Sequence, residues 1–103
     1  MKLYTINATS IRPEYSAKVN KARFDNMPYM LSDTFKRVGI DGFTIYEVIG
    51  FWQGERERSY KIEVLTDLDS AYIVGVCEEI RHVYNQDAVI LQYGDTVKFI
   101  ERP

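Results

Sequence analysis

The sequence predicts an α+β fold of the ferredoxin-like type. Its elements follow one another as βαββαβ with an added C-terminal strand, the strands form an antiparallel sheet, and both helices lie on one face of that sheet. Two observations lead to this prediction. Apolar residues alternate with a period of two in several short stretches, and they recur at helical spacing in two longer ones. Each split β-α-β unit requires a right-handed crossover, which places the first and third strands in the middle of the sheet.

The first half of the chain predicts a strand followed by helical segments. Residues 2–9 alternate and are rich in β-formers, so they form the first strand. Ser16 is a candidate cap for a short helix over residues 17–24. The run Asp25-Asn26-Met27-Pro28 is typical of a fresh helix start, because it places a capping side chain before a proline in the first turn. The second helical segment is expected to stop at Gly39.

Residues 40–67 predict a β-hairpin, with Gln53-Gly54-Glu55 as its turn. Aromatic rings lie next to carboxylates at the tip of this hairpin, and such a pairing is able to hold a small organic cation or a nucleoside. A solvated tip with an aromatic lid is the alternative interpretation. The candidate ligand contacts at the tip are Phe51, Trp52, Glu55 and Glu57.

The second half predicts one more helix and two strands. Residues 67–70 offer several N-cap candidates for a helix that ends near Asn85. Residues 88–93 are almost continuously apolar, as expected for a buried strand. Residues 96–100 alternate again and predict a final strand at the edge of the sheet. The sheet face away from the helices is expected to carry many of the aromatic residues and to support association into a cyclic oligomer, with a monomer as the alternative.

The composition limits the possible functions. A length of 103 residues predicts a single domain, and a net charge of −2 without a basic stripe argues against sequence-independent nucleic-acid binding. No apolar run is long enough for a membrane span, and the N-terminus is not typical of a secretory signal. Cys77 is the single cysteine and lies on an apolar helix face, so we expect a buried thiol in a reducing, cytoplasmic setting.

Known catalytic and metal-binding patterns are not found in the sequence. His82 is the single histidine, so a metal site has little support, and a solvated or hydrogen-bonded side chain is expected. One histidine and one cysteine do not assemble a Ser-His-Asp or Cys-His set. If the protein is an enzyme, its substrate carries its own reactivity, and the protein supplies positioning and electrostatics.

Segments spread over most of the chain are similar, in order, to one family. They are Ala8-x-Ser10-x-Arg12, Val19-Asn20-x-x-Arg23, the glycines Gly42 and Gly50 around a strand, Glu57-Arg58-Ser59, and Asn85-Gln86-Asp87-Ala88-Val89-Ile90-Leu91. On these residues the chain resembles the small bacteriophage S-adenosylmethionine lyases, whose older name is S-adenosylmethionine hydrolases. The chain departs from that family at Phe51-Trp52, where the family has a Cys-Tyr pair, and longer members continue past the last strand.

The resemblance implies a PII-like homotrimer that binds S-adenosylmethionine between subunits and cleaves it to 5′-methylthioadenosine and homoserine lactone. It implies that no cofactor is needed, because S-adenosylmethionine is the substrate. It also implies a role in phage anti-restriction. Glu57 matches a carboxylate that would hold the ammonium and ribose end of the substrate. Tyr46 would position the amino-acid moiety, Phe51 and Trp52 would contact adenine or the sulfonium, and Glu55 is the alternative carboxylate.

Two further hypotheses come from other functional classes. A PII-like sensor would bind the same molecule or ATP without turnover. A small phage-type inhibitor would act through its sheet face and bind no nucleotide. Release of methylthioadenosine distinguishes the enzyme from both, and a binding titration distinguishes the sensor from the inhibitor.

Overall fold

The computed structural model describes residues 1–103 with the exception of the Trp52 side chain, and within that range five strands and two helices follow one another as βαββαββ. The predicted α+β, ferredoxin-like fold is confirmed. The elements are β1 Lys2–Ala8, α1 Ala17–Arg37, β2 Phe43–Trp52, β3 Glu55–Thr66, α2 Ser70–Val83, β4 Ala88–Tyr93 and β5 Thr96–Glu101.

The strands form a single antiparallel sheet in the order β2-β3-β1-β4-β5. The first and third strands are therefore central, as the crossover rule predicts, and β5 lies at one edge. In the central pair Ile6 lies opposite Ile62, and in the neighbouring pair Ile6 lies opposite Leu91. These three side chains are fully buried, so this register aligns the apolar positions of three strands on one face.

Both helices cover that apolar face. The core is one cluster that combines alternate strand residues with the apolar stripes of both helices. Helix α1 contributes Phe24, Met27, Leu31 and Phe35, and helix α2 contributes Ile73, Val76, Cys77 and Ile80. The opposite face, here called the outer face, carries exposed apolar side chains from four strands: Leu3, Tyr46, Leu65, Val97 and Phe99. It carries fewer aromatic rings than expected, because Tyr4, Tyr60 and Phe43 point into the core.

Helix α1 is continuous from Ala17 to Arg37, so the predicted break at residues 25–28 is wrong. Ser16 caps the helix as expected, since its side chain accepts a hydrogen bond from the Val19 backbone N–H. Pro28 lies inside the helix and cannot donate to the carbonyl of Phe24, four residues earlier. The hydroxyl of Tyr60 donates to that carbonyl instead, at 2.8 Å. A tertiary contact therefore satisfies the backbone group that proline leaves open.

The hairpin turn is one residue shorter than predicted. Gln53 and Gly54 both have positive φ, 51° and 79°, which is the pattern of a two-residue type I′ turn. Glu55 is already the first residue of β3 and pairs with the backbone of Trp52. Because successive side chains of β3 point to opposite faces of the sheet, Glu55 and Glu57 lie on the outer face and Tyr60 lies on the inner face.

The remaining expectations concern single residues. Asp69 caps α2 by accepting a hydrogen bond from the Tyr72 backbone N–H at 2.9 Å. Cys77 is buried, and burial raises the pKa of its thiol to about 12, which leaves little thiolate at neutral pH. His82 is exposed. In the described part of the chain, neither helix is both long and apolar enough to cross a membrane.

Candidate functional site

A cleft of about 790 Å³ lies where the outer face of the sheet meets the loop after β1 and the connection between α2 and β4. Residues from all five strands line it at the same end of the sheet. The polar side chains that line it are Asn7, Thr9, Arg12, Glu57, Ser59, Gln86, Asp87 and Glu101. Its apolar lining includes Ile90 and Phe99 on one side and Phe51 on the other.

Glu57 stands in the wall formed by β3, where the sequence places its candidate carboxylate. Its partner across the strand pair is Gly50. Glycine has no side chain, and nothing lies within 4 Å of the position that a Cβ would occupy there. The Glu57 side chain is exposed and has no side chain beside it at the paired position of β2.

Tyr46 lies on the same outer face but outside the cleft lining. It pairs with Lys61, four residues along β3 from Glu57, which corresponds to about 13 Å of strand. The Glu63 carboxylate accepts a hydrogen bond from the Tyr46 hydroxyl, and this bond raises the pKa of Tyr46. A single chain thus keeps the two proposed catalytic side chains apart.

The other candidates divide between the cleft and the hairpin tip. Phe51 lines the cleft and is 73% exposed. Glu55 is exposed and lies two residues from Glu57, beyond the cleft lining. The side chain of Trp52 lies outside the described residues. Of the residues predicted to contact a ligand, Glu57 and Phe51 both line the cleft, although Phe51 pairs with Arg56 and its side chain starts from the opposite face of the hairpin.

A network of hydrogen bonds and ion pairs, here called the rim network, holds one edge of the cleft. It consists of Arg12, Glu14, Asn85, Asp87 and Arg102. Arg12 donates to the Glu14 carboxylate and to the Asn85 carbonyl oxygen, and its Nη1 lies 3.8 Å from Asp87. Arg102 donates to the Asp87 carboxylate at 3.0 Å and to the Asn85 carbonyl at 2.9 Å. These contacts tie the loop after β1 to the connection before β4 and to the end of β5.

The network also fixes the charges at that edge. The backbone N–H of Glu14 and the guanidinium of Arg12 both donate to the Glu14 carboxylate and lower its pKa. The same carboxylate raises the pKa of Arg12, whose side chain is only 19% exposed. The pair stays ionised across the physiological range, and its partners on both sides restrict the rotation of Arg12.

Sequence reasoning assigned no role to Arg12, Asp87, Phe99 or Glu101. Arg12 and Asp87 lie within the segments that carry the family resemblance, but the resemblance assigned them no function. For Phe99 and Glu101 the available signal was the alternation of the last strand, which puts residues 97, 99 and 101 on one face. In the described part of the chain no group of three His, Cys, Asp or Glu side chains is placed to hold a metal ion.

The chain is similar to known proteins in its structure, but no sequence-based match was found. No protein-family model matches the chain, and no curated protein matches it. A phage SAM lyase in complex with S-methyl-5′-thioadenosine shares its fold, with a TM-score of 0.63 and 18% sequence identity over 98% of this chain and 89% of that one. A phage SAM lyase in the apo state has a TM-score of 0.62 and 19% identity at the same coverage. The fold implied by the sequence resemblance is therefore confirmed.

Proposed function

We propose that this chain is an S-adenosylmethionine lyase that releases 5′-methylthioadenosine and L-homoserine lactone. The supporting observation is its fold, which matches a phage SAM lyase bound to S-methyl-5′-thioadenosine over nearly its full length. The cleft adds to that support, because it contains the carboxylate that the resemblance assigns to the substrate.

The proposed reaction is an intramolecular substitution in the substrate. One carboxylate oxygen of the amino-acid moiety attacks the γ-carbon, a C–O bond forms, and the C–S bond breaks with its electron pair on sulfur. The sulfonium leaves as a neutral thioether, and the lactone keeps the ammonium group, so no proton has to move. The protein's task is to hold the reactive conformation, and positioning of this kind supplies roughly 7–11 kcal/mol in favourable cases.

Each candidate residue has a place in this proposal. Glu57 holds the ammonium and the ribose end of the substrate and orients the substrate carboxylate for ring closure. Tyr46 positions the amino-acid moiety through its hydroxyl, and Phe51 and Trp52 contact adenine or the sulfonium. Glu55 is the alternative carboxylate at the hairpin tip. S-adenosylmethionine is consumed as the substrate, and no separate cofactor takes part.

The direct test is incubation of the purified protein with S-adenosylmethionine and identification of products by mass spectrometry. We expect methylthioadenosine and homoserine lactone in equal amounts. Methylthioadenosine with homoserine as the first product would indicate hydrolysis instead of lactone formation. Binding of S-adenosylmethionine without cleavage would favour the PII-like sensor, and the absence of both binding and cleavage would reject the proposed function.

We further propose that the active unit is a homotrimer with the sites between subunits. The exposed apolar side chains of the outer face are suited to burial against another copy, and the resemblance supplies the trimeric arrangement. The separation of Tyr46 from Glu57 along the strands fits such a site, because a neighbouring subunit can bring its Tyr46 close to Glu57. The natural role would be to lower S-adenosylmethionine in a host cell and so weaken methylation and cofactor-dependent restriction.

Mixed oligomers test the intersubunit site. A Glu57→Gln variant and a Tyr46→Phe variant are expected to be poorly active alone. In a trimer that contains both variants, one of the three interfaces, or about a third, combines an intact Glu57 with an intact Tyr46 from the neighbour. Co-expression with two affinity tags and purification on both should therefore recover a substantial fraction of wild-type turnover. Oligomers that mix but regain no activity would contradict the shared site, and a monomeric mass in light scattering would contradict the trimer.

A further inference from the structure

The positive side chains at the cleft already have acidic partners. Arg12 pairs with Glu14, and Arg102 pairs with Asp87. Within the described residues, two carboxylates that line the cleft, Glu57 and Glu101, form no ion pair. The cleft therefore presents two uncompensated negative charges to a ligand.

These two carboxylates stand on opposite walls. Glu57 belongs to β3 and Glu101 to β5, and β1 and β4 lie between them. Three interstrand spacings separate the two backbones by roughly 14 Å, and each side chain extends several ångströms from its strand. A ligand lying in the cleft thus has one carboxylate on either side.

The β5 wall combines its carboxylate with an aromatic ring. Phe99 lies two residues before Glu101 on the same face and is 60% exposed, opposite Ile90 of β4. An exposed ring next to a carboxylate is favourable for a soft, weakly hydrated cation, because the ring face and the carboxylate attract it together. We refer to Phe99 and Glu101 as the β5 wall.

S-adenosylmethionine carries two positive centres, an ammonium and a sulfonium. We propose that the β5 wall recognises the sulfonium while Glu57 binds the ammonium, so that Phe99 and Glu101 determine specificity for the charged sulfur. This inference rests on the proposed function. It adds to the substrate site two residues, Phe99 and Glu101, that lie on a different strand from the candidates at the hairpin. The wall distinguishes the substrate from its thioether product, which has the same adenosine group and no charge on sulfur.

The role has a defined kinetic signature. The positive charge on sulfur is lost as the C–S bond breaks, so the β5 wall stabilises the bound substrate more than the transition state. Removing the Glu101 charge should therefore raise KM and leave kcat unchanged or slightly higher. Loss of a residue needed only for folding would lower the amount of active enzyme and would not produce this division.

The test compares S-adenosylmethionine with S-adenosylhomocysteine, which lacks the methyl group and the charge on sulfur. The quantity measured is the inhibition constant of S-adenosylhomocysteine divided by the KM for S-adenosylmethionine. In Glu101→Gln this ratio should fall about five- to tenfold, the range for a partly exposed charge pair. In Phe99→Leu, which keeps apolar area without the ring, it should fall about two- to fivefold. Glu101→Asp should restore part of the loss.

Asp95→Asn is the matched control, because Asp95 lies in the β4–β5 turn, about 20 Å along the strand from Glu101, and its removal changes the net charge equally. It should leave the ratio unchanged. An unchanged ratio in Glu101→Gln, or an equal fall in Asp95→Asn, would overturn the inference while the lyase function stands. Protein that binds S-adenosylmethionine without cleaving it would be tested by the same ratio of dissociation constants, and protein that binds neither ligand would reject the function and the inference together.

Discussion

Replacement of Glu57 by Gln is expected to reduce kcat/KM for S-adenosylmethionine cleavage about 100-fold, the effect of a small misplacement of reacting groups. The substitution keeps the size of the side chain and removes the charge that is proposed to hold the substrate ammonium. Initial rates of methylthioadenosine release, measured by liquid chromatography, provide the comparison. The position suits a clean substitution, since Glu57 is exposed and forms no ion pair among the described residues.

Glu55→Gln is the control for that experiment. Glu55 lies two residues earlier on the same face of the same strand, and it stands outside the cleft lining. Its substitution should change the rate less than threefold, the size of a remote charge effect. Loss of activity in Glu55→Gln with retention in Glu57→Gln would move the catalytic carboxylate to the hairpin tip. Both variants should unfold at the wild-type temperature, because surface changes of this kind alter stability by about 0.5 kcal/mol or less.

The strands of the sheet could be predicted because the alternation of apolar side chains is visible within each short segment of the sequence. The alternation in residues 2–9 and in the hairpin reports which side chains face the core, and Ile6 and Ile62 are fully buried as that pattern requires. The crossover rule then orders the central strands without any knowledge of side-chain contacts. The predicted helix break failed for the opposite reason. The sequence before Pro28 has the local form of a helix start, and the donor that reaches the open Phe24 carbonyl is Tyr60, 36 residues away in the chain.

The candidate site was predictable to the same extent. Glu57 was proposed from the segment that resembles the family, and the strand alternation places it on the face that carries the cleft. The opposite wall depends on the antiparallel pairing of the strands, which brings the end of β5 to the same end of the sheet as the start of β3. The rim network joins Arg12 to Asn85, 73 residues apart, through a backbone carbonyl. No sequence period reports a contact of that kind, because any residue type can supply the acceptor.

The second large effect is expected at the contact between Tyr60 and helix α1. Tyr60→Phe keeps the ring, which stacks on Phe24 with centroids 4.3 Å apart, and removes the hydroxyl that donates to the Phe24 carbonyl. Because Pro28 supplies no N–H, the carbonyl would be left without a donor in a buried position. The loss should lower the free energy of unfolding by about 1–3 kcal/mol, measured by urea denaturation followed by circular dichroism.

The exposed hydroxyl of Tyr72 provides a matched comparison. It also donates to a backbone carbonyl at the end of α1, that of Val38, at 2.7 Å. Water can replace this bond when the hydroxyl is removed, so Tyr72→Phe should cost less than about 0.5 kcal/mol. A loss in Tyr72→Phe as large as that in Tyr60→Phe would show that burial does not determine the cost.

Pro28→Ala tests whether the missing N–H of Pro28 is the reason that Tyr60→Phe is costly. Alanine at this position offers its own N–H to the Phe24 carbonyl in the ordinary helical pattern, and it also changes helix propensity and the entropy of the unfolded chain. Those two changes are the same in both backgrounds and cancel in a double-mutant cycle. Tyr60→Phe should therefore cost at least about 1 kcal/mol less in the Pro28→Ala background than in the wild type. If the cost is equal in the two backgrounds, the Tyr60 hydroxyl does not act as the substitute donor, and the continuity of α1 has to come from the packing of Met27 and Leu31 against the sheet.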